Sequence, residues 1–255
     1  MTLSSVLAVV PAIFLNDLLR YCIPAFGLLG FLLLARNKLR RRIQNREIRI
    51  RQYFREFAYS MSTVTIYAAA GTLIFTADRA GMTRIYREIA EYGWPYFFSS
   101  VLVMIFLHDA YFYWTHRLLH TRFLFKAVHR LHHLPRTPSP LAAYAFSPLE
   151  AVVQLGIFPI IVFLIPAHPA ALIIFPVWMI VRNVMGHAGY EFFPSWFADV
   201  PVLRSLTTAV HHDMHHDQMH GNYGLYFRFW DQWMGTENPL YEERFKEISA
   251  RGTRS

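Results

Sequence analysis

The sequence predicts an all-α, integral membrane helical bundle with about four or five hydrophobic helices and a cytosolic helical cap. Three observations predict it. Hydrophobic residues make up 54% of the 255 positions and charged residues only 16%, where an ordinary soluble domain carries about a quarter. The apolar residues fall into runs long enough to cross a bilayer, which takes about 20 residues. Lys and Arg are concentrated beside one of these runs, as the positive-inside rule requires of a cytosolic connection.

The first candidate span runs from Val6 to Ala35, interrupted by Asn16, Asp17 and Arg20. Its ordered part is therefore expected in the second half, with a tilted lead-in. It lacks a basic n-region and outlasts a usual signal-peptide core, so it reads as a retained helix. The single cysteine, Cys22, lies within it and excludes an intramolecular disulfide or a CxxC cluster. A basic block follows from Arg36 to Arg55 and holds much of the formal charge of +8. Its position beside a span fits anionic headgroups better than nucleic acid, so no nucleic-acid partner is expected.

The second span covers Phe57 to Ala77, and the connection from Asp78 to Gly93 is charge-balanced. The third starts near Pro95 and runs directly into His116. Ala151–Ile165 and Ala170–Val184 flank a Pro-Ala-His-Pro turn at 166–169 and predict a helical hairpin reaching part-way across. The intervening HLPRTPSPLAAYAFSP contains four prolines and predicts a loop or broken turn. Trp94, Tyr96 and Trp114 stand where interfacial anchors belong. The segment after Thr236 is polar and expected to be peripheral.

Eight histidines form three tight clusters, His116/His120, His129/His132/His133 and His212/His215/His216, with His211 beside the last. Spacings of three and four place side chains on one helical face. Counting crossings from the basic block brings all three clusters, with His187, to the cytosolic side. That deduction uses no histidine. So many imidazoles in one place would repel one another if protonated, whereas neutral imidazole is a common ligand of iron, zinc, copper and nickel. Three clusters exceed what one ion needs, so the cap is read as a histidine-rich dimetal site.

His108, His168 and His220 are lone histidines and read as structural, with His168 in the turn on the far side. His211 is either a ligand or an outer neighbour. Asp109, seven residues before His116, is a candidate to accept the second ring N–H of a ligand histidine or else a structural aspartate. Glu191 is four residues after His187. The poverty of thiolate argues against structural zinc and iron–sulfur clusters, and the Glu-x-x-His pairs of soluble di-iron bundles are absent. Zinc, copper and a histidine-rich di-iron centre remain.

The three boxes, in this order and on this hydropathy profile, resemble the fatty acid hydroxylase/sterol desaturase superfamily. So do Asp109-Ala-Tyr-Phe-Tyr-Trp-Thr-His116-Arg, Gly186-His187-Ala-Gly-Tyr-Glu191, and His212-Asp-Met-His215-His216 followed by Asn222-Tyr223-Gly224 and Trp230-Asp231-Gln-Trp-Met-Gly235-Thr236. The likeness covers roughly Phe98 to Thr236. It implies residues 1–97 as N-terminal membrane helices and basic loop, 98–236 as the catalytic region, and 237–255 as a tail.

The resemblance implies a membrane-bound oxidoreductase that hydroxylates or desaturates a C–H bond of a lipid with two non-haem iron ions and O2 as co-substrate. It implies His116, His120, His129, His132, His133, His187, His212, His215 and His216 as metal ligands. Glu191 stands where some relatives carry another histidine, and Asn222 could hold a metal-bound water or support the third box. Tyr111, Phe112, Tyr113 and Phe146 could line a slot for the lipid or be ordinary core residues. No haem, flavin or ferredoxin motif is present, so electrons must come from an external donor, a ferredoxin or cytochrome b5-type protein with its reductase. A membrane zinc hydrolase and a metal transporter or sensor are the rivals. The first lacks HExxH, and the second would place polar ligands within the spans. Compact length and absent retention signals suggest a bacterial inner membrane.

Overall fold

A computed structural model describes residues 3–251; residues 1–2 and 252–255, including the end of the expected tail, lie outside the described residues. Among the described residues ten α-helices follow one another: α1 (Leu3–Ala35), α2 (Ile50–Arg79), α3 (Gly93–Leu119), α4 (Arg122–Leu124), α5 (Pro148–Leu155), α6 (Ile157–Leu164), α7 (Pro169–Gly186), α8 (Ala209–Gln218), α9 (Phe229–Trp233) and α10 (Tyr241–Ala250). Four of them, α1, α2, α3 and α7, are long and apolar enough to cross a membrane.

α1 corrects the expected interruption, because it runs unbroken through Asn16, Asp17 and Arg20. Asp17 Oδ1 and Arg20 Nη2 lie 2.6 Å apart, one helical turn from each other. Each charge removes the reason the other would have had to break the helix. The hairpin before the third cluster is present, with its first arm divided into α5 and α6 at Gly156.

The connections sort to two ends as the arginine argument requires. At one end Tyr86 N–H donates to Ala167 and Ala167 N–H to Arg84, joining the loop after α2 to the α6–α7 turn. His168 belongs to this end, its Nε2 3.0 Å from the Arg87 carbonyl. At the other end, Ile43 N–H donates to Gly189 and Glu191 N–H to Arg41, while Gln44 reaches Asp213 on α8. The basic block thus folds onto the histidine-bearing cap.

Most of the proline-rich loop is buried. Its 3-10 turn Pro140–Tyr144 enters the bundle, where Leu141 O accepts from Tyr21 and Ser60. The segment after Thr236 departs from the peripheral expectation. Tyr241, Phe245 and Ile248 are spaced four and three apart, form one apolar stripe and pack with Ile43, Phe197, Val210 and Met214 in a second core. Arg228 pairs with Glu237 at 2.7 Å beneath it.

Candidate metal centre

The first box lies at the cap end of α3, with His116 in its last turn and His120 as its C-cap. The second departs from a plain α-helix: Phe125–His129 form a π-helical turn closed by Arg130 N–H to Phe125 O at 2.7 Å. The added residue per turn rotates His129 relative to His132 and His133. His187 ends α7, and the third box occupies α8, whose N-terminus Thr208 caps through Oγ1.

These elements bring nine imidazoles into two groups. One contains His116, His120, His129, His133 and His215, and the other His132, His187, His212 and His216. Within each group the ring nitrogens lie within 4.8 Å of one another. Neighbouring residues 132 and 133 serve different groups, as do 215 and 216.

Outer partners fix which nitrogen faces inward. Nδ1 of His116, His120, His215 and His187 donates to the carbonyls of Tyr223, Met219, Gly221 and Asn183, at 3.0, 2.9, 2.7 and 2.8 Å. A carbonyl can only accept, so each of these neutral rings presents a bare Nε2 lone pair. Glu150 Oε1 lies 2.6 Å from Nδ1 of His129. When His129 donates there, its Nε2 and that of His116 are two lone pairs facing each other at 3.1 Å. A cation between them removes that repulsion.

The spacing suits one. Six Nε2–Nε2 contacts across the two groups fall between 3.0 and 3.3 Å. Ligands about 2.1 Å from a common ion stand about 3.0 Å apart at right angles and about 3.4 Å apart at the tetrahedral angle. Burial, with repulsion from neighbouring rings, holds His129, His132, His133, His212, His215 and His216 well below the usual imidazole range. His120 and His187 are lowered by burial to about 4. Neutral rings are what a metal requires.

The other sequence candidates lie outside both groups. Oδ1 of Asp109 accepts from the backbone N–H of Tyr226 and Phe227, so of its two expected roles the hydrogen bonds seen are those of a structural aspartate that anchors this loop. Glu191 caps α8, accepting from Val210 N–H at 3.0 Å and Phe193 N–H at 2.9 Å, a favourable place for a carboxylate. Asn222 donates to the carbonyl of His211 and accepts from Asn238 N–H, tying α8 to the following turn. His211 is buried with its Nε2 3.6 Å from Asp231 Oδ2, and burial lowers it to about 3. Phe112 and Phe146 adjoin His116 and His132 at 4.9 and 5.3 Å. The hydroxyls of Tyr111 and Tyr113 are engaged by Val153 O and Thr236 Oγ1.

Sequence reasoning missed Glu150 and the carbonyl-bearing loop 219–223. Ser147-Pro148-Leu149-Glu150 has the form of a helix N-cap, and Ser147 does accept from Glu150 N–H at 3.2 Å. The glutamate side chain serves His129 instead. The loop is held by Asp231, which accepts from Tyr223 N–H, Gly224 N–H and Thr236 Oγ1.

Such a site, two clusters of neutral imidazoles at one end of an apolar helical bundle, defines a membrane protein of the histidine-box class. A family model described as fatty acid hydroxylase matches residues 101–236, and the chain belongs to that family. It is similar to the lathosterol oxidase of Rattus norvegicus, at 29% identity over 183 residues covering 71% of this chain and 60% of the relative. Delta(7)-sterol 5(6)-desaturase ERG3B of Gibberella zeae is 30% identical over 162 residues, 64% of this chain and 49% of the relative. The Homo sapiens lathosterol oxidase is 26% identical over 192 residues, 74% and 62% of the two chains. The matches thus span about half to three-fifths of the length of these curated relatives. No solved structure matches.

Proposed function

We propose that the protein is a membrane-bound oxidoreductase that hydroxylates or desaturates a C–H bond of a lipid, using two iron ions, O2 and electrons from an external carrier. The observation that carries this reading is the pair of buried imidazole groups with fixed, inward-facing Nε2 atoms. Five donors in one group exceed the four of a structural zinc site, and imidazole without thiolate suits iron.

The five rings of one group and the four of the other would each hold one ion. When bound, the irons supply the reductive O2 chemistry and the oxidising power to attack an unactivated C–H bond. Hydroxylation consumes one O2, two electrons and two protons and yields the alcohol and one water. Desaturation consumes the same and yields the alkene and two waters. The electrons require a ferredoxin or cytochrome b5-type donor with its reductase, and the basic block beside the site offers an acidic carrier a docking face. The same arginines support a cytosolic position for the site.

The chain's own part is orientation and exclusion of water. Glu150 and the carbonyls of loop 219–223 hold the rings. Phe112, Phe125 and Phe146 pack against His116, His120 and His132 and shield the groups from solvent. The relatives named for sterols support a sterol or similar lipid as substrate.

Mössbauer spectroscopy and metal analysis of anaerobically purified protein, before and after dithionite and O2, test the reading. Two irons per chain that reduce and reoxidise are expected. Two tightly bound zinc ions without iron, after growth in iron-rich medium, would overturn it.

A further inference from the structure

A cleft of about 190 Å3 opens at mid-depth of the bundle, between α1, α2, α6 and α7. Ile13, Ile74, Phe158 and Leu172 make most of its wall apolar, but Asp17 and Arg20 enter it from α1. Both stand about 21–27 Å from the ends of that helix at about 1.5 Å per residue. Ionisable side chains at such a depth are expensive and commonly functional. Their mutual pairing explains why the helix tolerates them, not why they face a cleft.

Two neighbouring buried polar atoms lack a hydrogen bond of good geometry, Nε of Arg20 at the cleft and the hydroxyl of Tyr144 behind its wall. Tyr144 is only 1% exposed. It also borders a second, smaller void of about 10 Å3 with His108, Phe112 and Phe146, and Tyr67 lines both spaces. Ring contacts of 5.3, 6.3 and 5.3 Å lead from Tyr67 through Tyr144 and Phe146 to His132. A chain of packed, buried rings thus separates the polar pair from the imidazole groups.

The geometry points to Asp17, Arg20 and Tyr144 as the anchor for the polar end of the lipid substrate, and to an uncharged hydroxyl as that end. This deepens the oxidoreductase reading and rests on it for the word substrate. The pair is formally neutral, so it attracts no ion. A hydroxyl donates and accepts at once, and can give its proton to Asp17 while accepting from Arg20 Nε or Tyr144. A carboxylate or sulfate would set a second anion against Asp17 in an apolar setting. With the Tyr67, Tyr144 and Phe146 rings swung aside, the anchored lipid would extend toward His132, and its length from the hydroxyl would select the carbon that reaches the imidazoles.

The test measures equilibrium binding of tritiated cholesterol to the full chain in detergent, with 5α-cholestane and cholesteryl sulfate as competitors. Both competitors are expected to be at least tenfold weaker than unlabelled cholesterol. Asp17→Asn leaves Arg20 unopposed and is expected to move the sulfate-to-cholesterol preference at least tenfold toward sulfate. Tyr144→Phe removes a hydroxyl whose approach to Arg20 falls short of good hydrogen-bond geometry and is expected to weaken cholesterol about three- to tenfold, one neutral hydrogen bond, with metal content and elution volume unchanged. An unchanged preference in folded Asp17→Asn overturns the anchor, as does wild-type binding by Tyr144→Phe should Asp17→Asn fail to fold. Iron and O2 uptake are measured on the same preparations. An iron-loaded, O2-consuming protein indifferent to the hydroxyl sinks the anchor alone. A zinc protein that consumes no O2 yet prefers the hydroxyl sinks the oxidoreductase reading alone.

Discussion

His129 Nδ1 lies 2.6 Å from Glu150 Oε1, and both side chains are almost wholly withdrawn from solvent. A carboxylate there raises the ring's basicity and fixes its orientation toward the five-histidine group. Glu150→Gln retains one acceptor oxygen and should lower metal affinity about tenfold, whereas Glu150→Ala should approach about 100-fold. Titration against a competing chelator reads both, and unchanged affinity in the alanine variant would remove Glu150 from the site.

Loop 219–223 is held at a distance from the imidazole groups, by Asp231. Asp231→Ala leaves the Tyr223 and Gly224 N–H groups without their acceptor and should cost about 1–3 kcal/mol, measured as a loss of thermal stability together with faster metal release. Gly224→Ala should be at least as damaging, because its Cβ would meet Phe227 O at 2.4 Å. Normal melting and metal retention in both variants would show that the loop does not steady the rings.

Acid should unfold the metal-free protein first. His120 and His187 titrate at about 4 when folded, against an ordinary 6.5. The unfolded chain therefore takes up protons before the folded one does, and folding stability present above pH 6.5 falls as the pH drops toward 4. Thermal melts across this range should show a steeper loss for the metal-free than for the metal-loaded protein until protons displace the ions. A flat profile for the metal-free form would contradict the burial of these rings.

Where the sequence was legible, the reason was local periodicity. Four-residue spacing aligned His116 with His120 and His212 with His216, and the arginine block indicated which ends of the helices meet. What stayed hidden depends on contacts across the fold. Glu150 reads as a helix cap until His129 is brought to it, and carbonyls at 219, 221 and 223 carry no side-chain signature. Asp109 lies on the right helical stripe, but the 226–227 backbone reaches it before any ring does. Asp17 and Arg20 read as an interruption when each charge is taken singly, whereas one helical turn brings them together as a pair. Phe245 and its neighbours were obscured by the charged residues between them.

The two imidazole groups join parts of the chain that are far apart in sequence: His116 meets His129 across 13 positions, His187 meets His132 across 55, and His215 meets His133 across 82. In a protein with one cysteine, bound ions would act as its long-range clips, closing loops whose entropy the backbone would otherwise lose unaided. Metal insertion would then be a late folding step for the cap, leaving the membrane helices to assemble before it.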